Sequence, residues 1–61
     1  MARRNIEEAE ATYRLSLEIF ERLGYKPGMA NVYSNLAELY KLSGDAEQAE
    51  AMRQKSLELS A

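Results

Sequence analysis

The sequence predicts an all-α chain in which three antiparallel helices form helix–turn–helix units, a fragment of an α-solenoid. Three observations predict it. The segment from Asn5 to Glu21 returns 40 residues later as Asp45 to Ala61, with identities at Glu7/Glu47, Ala9/Ala49, Glu10/Glu50, Ala11/Ala51, Ser16/Ser56, Leu17/Leu57 and Glu18/Glu58. A helical repeat of that period stacks on its neighbours and leaves an open array rather than closing into a bundle. Two glycines, Gly24 and Gly44, divide the chain into three stretches. Within each stretch apolar residues recur at steps of three and four, the helical period.

The first helix is expected over 6–23. Asn5-Ile-Glu-Glu8 has the capping-box form, a small polar residue followed three positions later by Glu, in which each side chain satisfies a free backbone N–H. Ile6, Ala9, Tyr13, Leu17 and Phe20 make one apolar stripe, which Leu15, Ile19 and Leu23 widen sideways. Leu23-Gly24 gives the stop, because glycine takes the left-handed cap conformation at low steric cost. The second helix is expected over 27–43, opened by Pro27, whose missing N–H is not needed in the first turn. Its apolar side carries Met29, Val32, Tyr33, Leu36, Leu39 and Tyr40, and its polar side Asn31, Ser34, Asn35, Glu38 and Lys41. The third helix, 46–59, starts at a second box, Asp45-Ala-Glu-Gln48, and its apolar side is thinner: Ala46, Ala49, Met52, Leu57 and Leu59. The links between the helices are short, which sets neighbours antiparallel.

The two copies of the repeated helix differ instructively. Ile6, Tyr13, Leu15 and Phe20 of the first become Ala46, Arg53, Lys55 and Ser60 in the second. The first copy has the composition of an inner helix with a neighbour on each side, and the second that of an outer one. The chain offers only one helix to cover the first copy. Ile6, Tyr13, Leu15, Ile19 and Phe20 are therefore the expected self-association residues, and a homodimer is the favoured assembly.

Sixty-one residues make one small domain, and such a chain buries only about 60% of its unfolded surface. With no cysteine and no histidine, neither a disulfide nor a Cys/His zinc site can reinforce it. Better helix packing or association remains. Eight basic and ten acidic residues give a net charge of −2 without a basic face, so nucleic acid is not an expected partner. Arg3 and Arg4, the one adjacent basic pair, read as solvated ends. No apolar run approaches a membrane span, and Met1-Ala-Arg-Arg is not followed by a signal core, so a cytoplasmic location and no membrane are expected.

The run Asn35-Leu-Ala-Glu-Leu-Tyr40, then Ser43-Gly-Asp45, then Ala49, then Ser56-Leu-Glu-Leu59 resembles the tetratricopeptide repeat family. Residues 30–61 are similar to one complete repeat and residues 5–23 to the second helix of the preceding one, about one and a half repeats. The 40-residue spacing and Leu23-Gly-Tyr-Lys-Pro-Gly-Met-Ala30 resemble the longer-repeat subgroup, with its LGN/Pins-like and bacterial arrays. The chain departs from the family pattern at Ala37, where glycine is frequent, and at Arg53, where an aromatic is frequent. The resemblance implies a scaffold that holds a protein or peptide on the face lined by first helices. That carries over to Asn31, Ser34, Asn35, Glu38 and Lys41, with Leu42 beside them. Lys41 alone does not make the basic clamp by which some members bind chaperone tails.

Chemistry is not expected. The common nucleophile–base pairs need Cys or His, and carboxylates such as Glu7 and Glu18 sit on a charged face with no pocket to shift them. Glu47, Glu50 and Glu58 read as the same solvated surface rather than metal ligands. Gly24-Tyr-Lys-Pro-Gly28 lacks the spacing of a phosphate loop and reads as a turn. Tyr13, Tyr33 and Tyr40 fall on apolar stripes and read as core, leaving Tyr25 as the exposed aromatic. The expected function is a non-catalytic protein–protein interaction module that self-associates, with no catalytic residue, cofactor or metal. The alternative is a purely structural oligomerisation element, or an excerpt of a longer solenoid with no ligand of its own.

Overall fold

The computed structural model describes residues 3–60. Met1, Ala2 and Ala61, on which readings of the start of the chain and of the repeat's last position fall, lie outside the described residues, as does the Arg3 side chain. Three helices follow in order: α1 (Arg3–Leu23), α2 (Lys26–Leu42) and α3 (Ala46–Ser60). Among the described residues there is no strand.

Both turns are closed by the same device. Gly24 and Gly44 have φ of +67° and +85°, the left-handed region. Each lets the chain fold back so that the following N–H reaches the carbonyl five residues earlier, Tyr25 to Phe20 at 2.9 Å and Asp45 to Tyr40 at 2.8 Å. The glycine N–H groups bond Glu21 and Lys41, both at 3.2 Å. This is the Schellman motif, and it satisfies carbonyls that a helix end leaves free.

The second capping box is half made as a result. Asp45 Oδ1 accepts the Gln48 N–H at 3.2 Å, but the Asp45 N–H is already held by Tyr40, so Gln48 has no donor left to serve. The first capping box does not form. α1 begins at Arg3, so Asn5 lies inside the helix rather than ahead of it. Arg3 and Arg4 are good helix formers, and Arg4 pairs with Glu8 one turn on, 3.7 Å apart. α2 has no side-chain cap at Tyr25; it starts on backbone alone, with Pro27 in its first turn. It ends at Leu42, one residue before the expected 43, and Ser43 becomes the cap residue, its hydroxyl donating to the Tyr40 carbonyl at 2.9 Å.

α2 is the centre of the fold. The core is Val32, Leu36, Leu39 and Tyr40, all from this helix, and Leu36 is its most deeply buried member. Ile6, Ala9, Tyr13, Leu17 and Phe20 pack on it from α1, and Ala49 and Met52 from α3. α1 and α3 flank α2 without meeting each other. The Cα extents, 33 × 20 × 11 Å, are those of helices laid side by side in one layer. A layer of this kind shields one helix well and leaves the outer two half open, as a solenoid segment must.

Two close approaches set the layer's spacing. Gly28 is buried, and a Cβ there would stand 2.8 Å from Cγ, Cδ1 and Cδ2 of Phe20. Glycine at this point lets α1 and α2 close over the ring. On the other side, the buried Ser56 hydroxyl donates to the Ala30 carbonyl at 2.9 Å and accepts from Ser34, whose oxygen lies 2.7 Å away. Short side chains here let α3 approach α2 closely. The expected apolar side of α3 is rotated accordingly: Ser56 is buried with Ala49 and Met52 beside it, whereas Ala46 and Leu57 are exposed.

Candidate interaction surfaces

The polar face of α2 is largely free. Asn31, Glu38 and Lys41 are exposed and Asn35 is half-buried. Ser34 differs, because its hydroxyl is committed to Ser56 and belongs to the α2–α3 contact. Glu38 and Lys41 border a shallow recess of about 280 Å³ between α2 and α3, completed by Ala37, Ala46, Ala49, Glu50 and Arg53. Its charges alternate in sign, and Arg53 is bound to Glu50 at 3.1 Å. That pairing holds the Glu50 carboxyl below its usual range and the Arg53 guanidinium above its own.

The five candidates on α1 divide between its two sides. Ile6, Tyr13 and Phe20 turn inward onto the α2 core. Leu15 and Ile19 stand on the free side, 60% and 50% exposed, and Leu23, one turn further, is 73% exposed. Residues 15, 19 and 23 follow at steps of four, so they form a continuous apolar ridge. Exposed leucines singly are ordinary, but an aligned ridge on a helix that touches only α2 is not. Thr12 adds its methyl to this side, since its hydroxyl is satisfied by the Glu8 carbonyl at 3.0 Å.

One cluster escaped the sequence reading. Tyr40, taken as core, brings its hydroxyl to the edge of α1, where it donates to Glu10 and receives the Arg14 guanidinium at 2.8 Å. Arg14 also bonds Glu10 at 3.1 Å. The Tyr40 hydroxyl and then Arg14 hold the Glu10 carboxyl below its usual range. Glu10 and then Tyr40 raise Arg14, while burial and then the Glu10 bond raise the Tyr40 phenol. The signal for it was a tyrosine on a buried stripe, whose hydroxyl needs a partner when the ring is covered. The cluster ties α1 to α2. It borders a recess of about 530 Å³ lined by Ile6, Glu7, Glu10, Tyr40, Leu42, Ser43 and Asp45.

Glu7 is exposed, and Glu18 is paired with Arg22 at 2.8 Å, so these two carboxylates do not converge on a site. Among the described residues no group of three or more acidic side chains is placed to hold a metal, and no helix is long and apolar enough to cross a membrane. Tyr25 is exposed, its ring tilted against Phe20 with centroids 5.7 Å apart. Lys55 lies over the Tyr33 ring, 5.5 Å from its centre, and both line a recess that Glu21 of α1 also borders.

A layer of helices joined by Schellman turns, with one helix repeated at 40 residues on either side of the middle one, defines a helical-hairpin repeat protein. The sequence matches the tetratricopeptide repeat family over residues 1–61, and the chain belongs to that family. One and a half repeats account for its three helices. Comparison with curated proteins and with solved structures finds no match. Membership supports protein–protein interaction as the general role.

Proposed function

We propose that the chain is a cytoplasmic, non-catalytic interaction module that takes protein rather than nucleic acid or membrane as its partner, and that its copies associate through the free side of α1. The observation that carries this reading is the ridge of Leu15, Ile19 and Leu23 on a helix covered from one side only. Each leucine withdrawn from water contributes roughly 1–2 kcal/mol, and a two-fold pair counts every residue twice. The test is sedimentation or light scattering over a wide concentration range. A dimer or larger species is expected, with Leu15→Glu shifting it at least tenfold toward monomer while the helical circular dichroism persists. An unchanged mass distribution in Leu15→Glu would refute the assignment.

A second reading concerns peptides, and the exposure of Asn31, Glu38 and Lys41 favours it. Among the described residues no side-chain hydrogen bond occupies these three or Asn35, leaving amide and charged groups free for a peptide backbone and its side chains. A pull-down with Asn31, Asn35 and Lys41 changed together to Ala tests it; undiminished capture counts against this face.

A further inference from the structure

A third recess, of about 340 Å³, lies over α2 and is bordered by this chain's own helices on both flanks. Glu21 of α1 stands on one rim, Lys55 and Glu58 of α3 on the other, and Met29, Tyr33 and Leu59 are its half-buried apolar lining. Its charges differ from those of the two recesses described above. There a carboxylate is already taken by an arginine of its own helix, Glu10 by Arg14 and Glu50 by Arg53. Among the described residues neither Glu21 nor Glu58 enters an ion pair. Both also stand in the last turn of a helix, where the dipole is negative and a carboxylate is unfavourable. Arg22, in the last turn of α1, is committed to Glu18, and the last turn of α3 holds no basic residue. The negative ends of two helices and two free carboxylates thus border one recess with an aromatic ring in it.

The ring already shows what it accepts. Lys55 holds its ammonium 5.5 Å from the Tyr33 centroid, on the face whose quadrupole attracts cations. Lys55 is exposed and pairs with no carboxylate among the described residues. Its flexible stem lets the ammonium leave the ring for water at small cost. We infer that this recess is a docking site for an arginine side chain of a protein partner. The guanidinium takes the place of the Lys55 ammonium on Tyr33, its fork of donors serves Glu21 and Glu58, and its methylenes lie on Met29 and Leu59. Arginine fits better than lysine, because a planar, weakly hydrated guanidinium stacks on a ring and serves two carboxylates at once. An ammonium is a compact, strongly hydrated point charge. An anionic side chain meets a carboxylate on each rim and is disfavoured. The inference rests on the reading of the chain as a protein-binding module. It is independent of the α1 ridge, since at 100° per residue Leu15 and Ile19 lie on a different face of α1 from Glu21.

The probe is the peptide acetyl-Gly-Ser-Arg-Ser-Gly-amide, titrated into the isotopically labelled full chain and followed by NMR, which reads weak binding residue by residue. Saturable shifts centred on Met29, Tyr33 and Leu59 are expected. The same peptide with lysine should bind several-fold more weakly. With citrulline, which keeps the shape of arginine without its charge, binding should be at least tenfold weaker. Glu21→Gln together with Glu58→Gln should weaken arginine binding about tenfold, and both positions are exposed, so the fold persists. Tyr33→Leu should weaken it several-fold, with circular dichroism checking that the chain remains folded. Lys55→Gln, which removes the present cation and leaves most of its stem, should tighten it. Leu15→Gln should bind as the parent does. Absence of binding, shifts spread evenly over the acidic surface, or shifts centred on Leu15 and Ile19 overturns the inference. Equal binding of the citrulline peptide, undiminished binding by the Glu21→Gln, Glu58→Gln chain, or weaker binding on Lys55→Gln also overturns it. A dimer that takes no arginine overturns it and leaves self-association standing. A monomer that takes arginine at Tyr33 supports it and rejects self-association.

Discussion

Gly28→Ala tests the packing on which both surfaces of α1 depend. An alanine Cβ at this position stands 2.8 Å from Cγ, Cδ1 and Cδ2 of Phe20, where carbon atoms in contact prefer about 3.5–4.0 Å. The three atoms include the root of the ring, so a swing of its tip cannot relieve all of them. Either α1 moves away from α2 or Phe20 leaves its rotamer, a strain of about 1–3 kcal/mol. The alanine gains at most about 0.5–1 kcal/mol in helix propensity, and less so near a helix start. The expected net effect is a destabilisation of about 1–2 kcal/mol. At about 0.05–0.15 kcal/mol per residue, a domain of this size has a stability on the order of only 3–9 kcal/mol. The loss therefore appears as a fall in Tm of roughly 5–15 °C. Thermal and urea unfolding followed by far-ultraviolet circular dichroism measure it. A double-mutant cycle with Phe20→Leu locates the cause: the two changes together should cost about 1 kcal/mol less than their sum. A Gly28→Ala chain as stable as the parent, or an additive cycle, would refute the Gly28–Phe20 contact as the spacing of α1 on α2.

Ser56→Ala should destabilise by about 1 kcal/mol in the same unfolding assay, since it strands the Ser34 hydroxyl and removes the donor to the Ala30 carbonyl; an unchanged midpoint would show the serine pair to be dispensable. The Glu10–Arg14–Tyr40 cluster predicts a pH dependence with a definite sign. Glu10 is held low in the folded chain, so below the usual carboxylate range the unfolded state binds more protons, and stability falls as acid is added through that window. Tyr40 is held high, so above about pH 10 the unfolded chain loses its phenolic proton first and stability falls again. Tyr40→Phe should flatten both limbs, and a profile identical to the parent's would remove the cluster from the account.

Much of the fold was legible because its signals are local. Glycine at 24 and 44 announces a left-handed turn whatever surrounds it, and the 3.6-residue period of Ile6 to Phe20 names the face that meets α2. The start of α1 was misread for the opposite reason. A capping box describes what a helix end does with its free donors, but it cannot oblige a helix to end where good helix formers precede it. At Asp45 the box lost one of its bonds to the Schellman turn, a competition between two local motifs for one N–H. The sequence-level apolar side of α3 was rotated because hydrophobicity ranks Leu57 above Ser56. Close approach of two helices selects for size instead, and a hydroxyl with both neighbours in reach is cheaper to bury than a large side chain is to fit.

The same distinction explains why the surfaces were less legible than the core. Ile6, Tyr13, Leu15, Ile19 and Phe20 are alike as apolar residues, and only the position of α2 separates the three that are covered from the two that are not. Ser34 reads as one more polar residue of an outer face until Ser56 is placed beside it. Yet the repeat itself carries information that no single helix does. Ala49 and Ser56 sit where α3 crosses α2, and Ala9 and Ser16 repeat those small side chains in α1. Where they differ, the surroundings differ too: Phe20 packs on Gly28 of α2, whereas Ser60 only donates to the Ser56 carbonyl of its own helix. Lys55 keeps its ammonium in water above Tyr33, whereas Leu15 gains nothing by exposure and about 1–2 kcal/mol by burial. The two flanks of α2 therefore differ in one physical respect: withdrawing the Leu15 position from water would be favourable, and withdrawing the Lys55 ammonium would not.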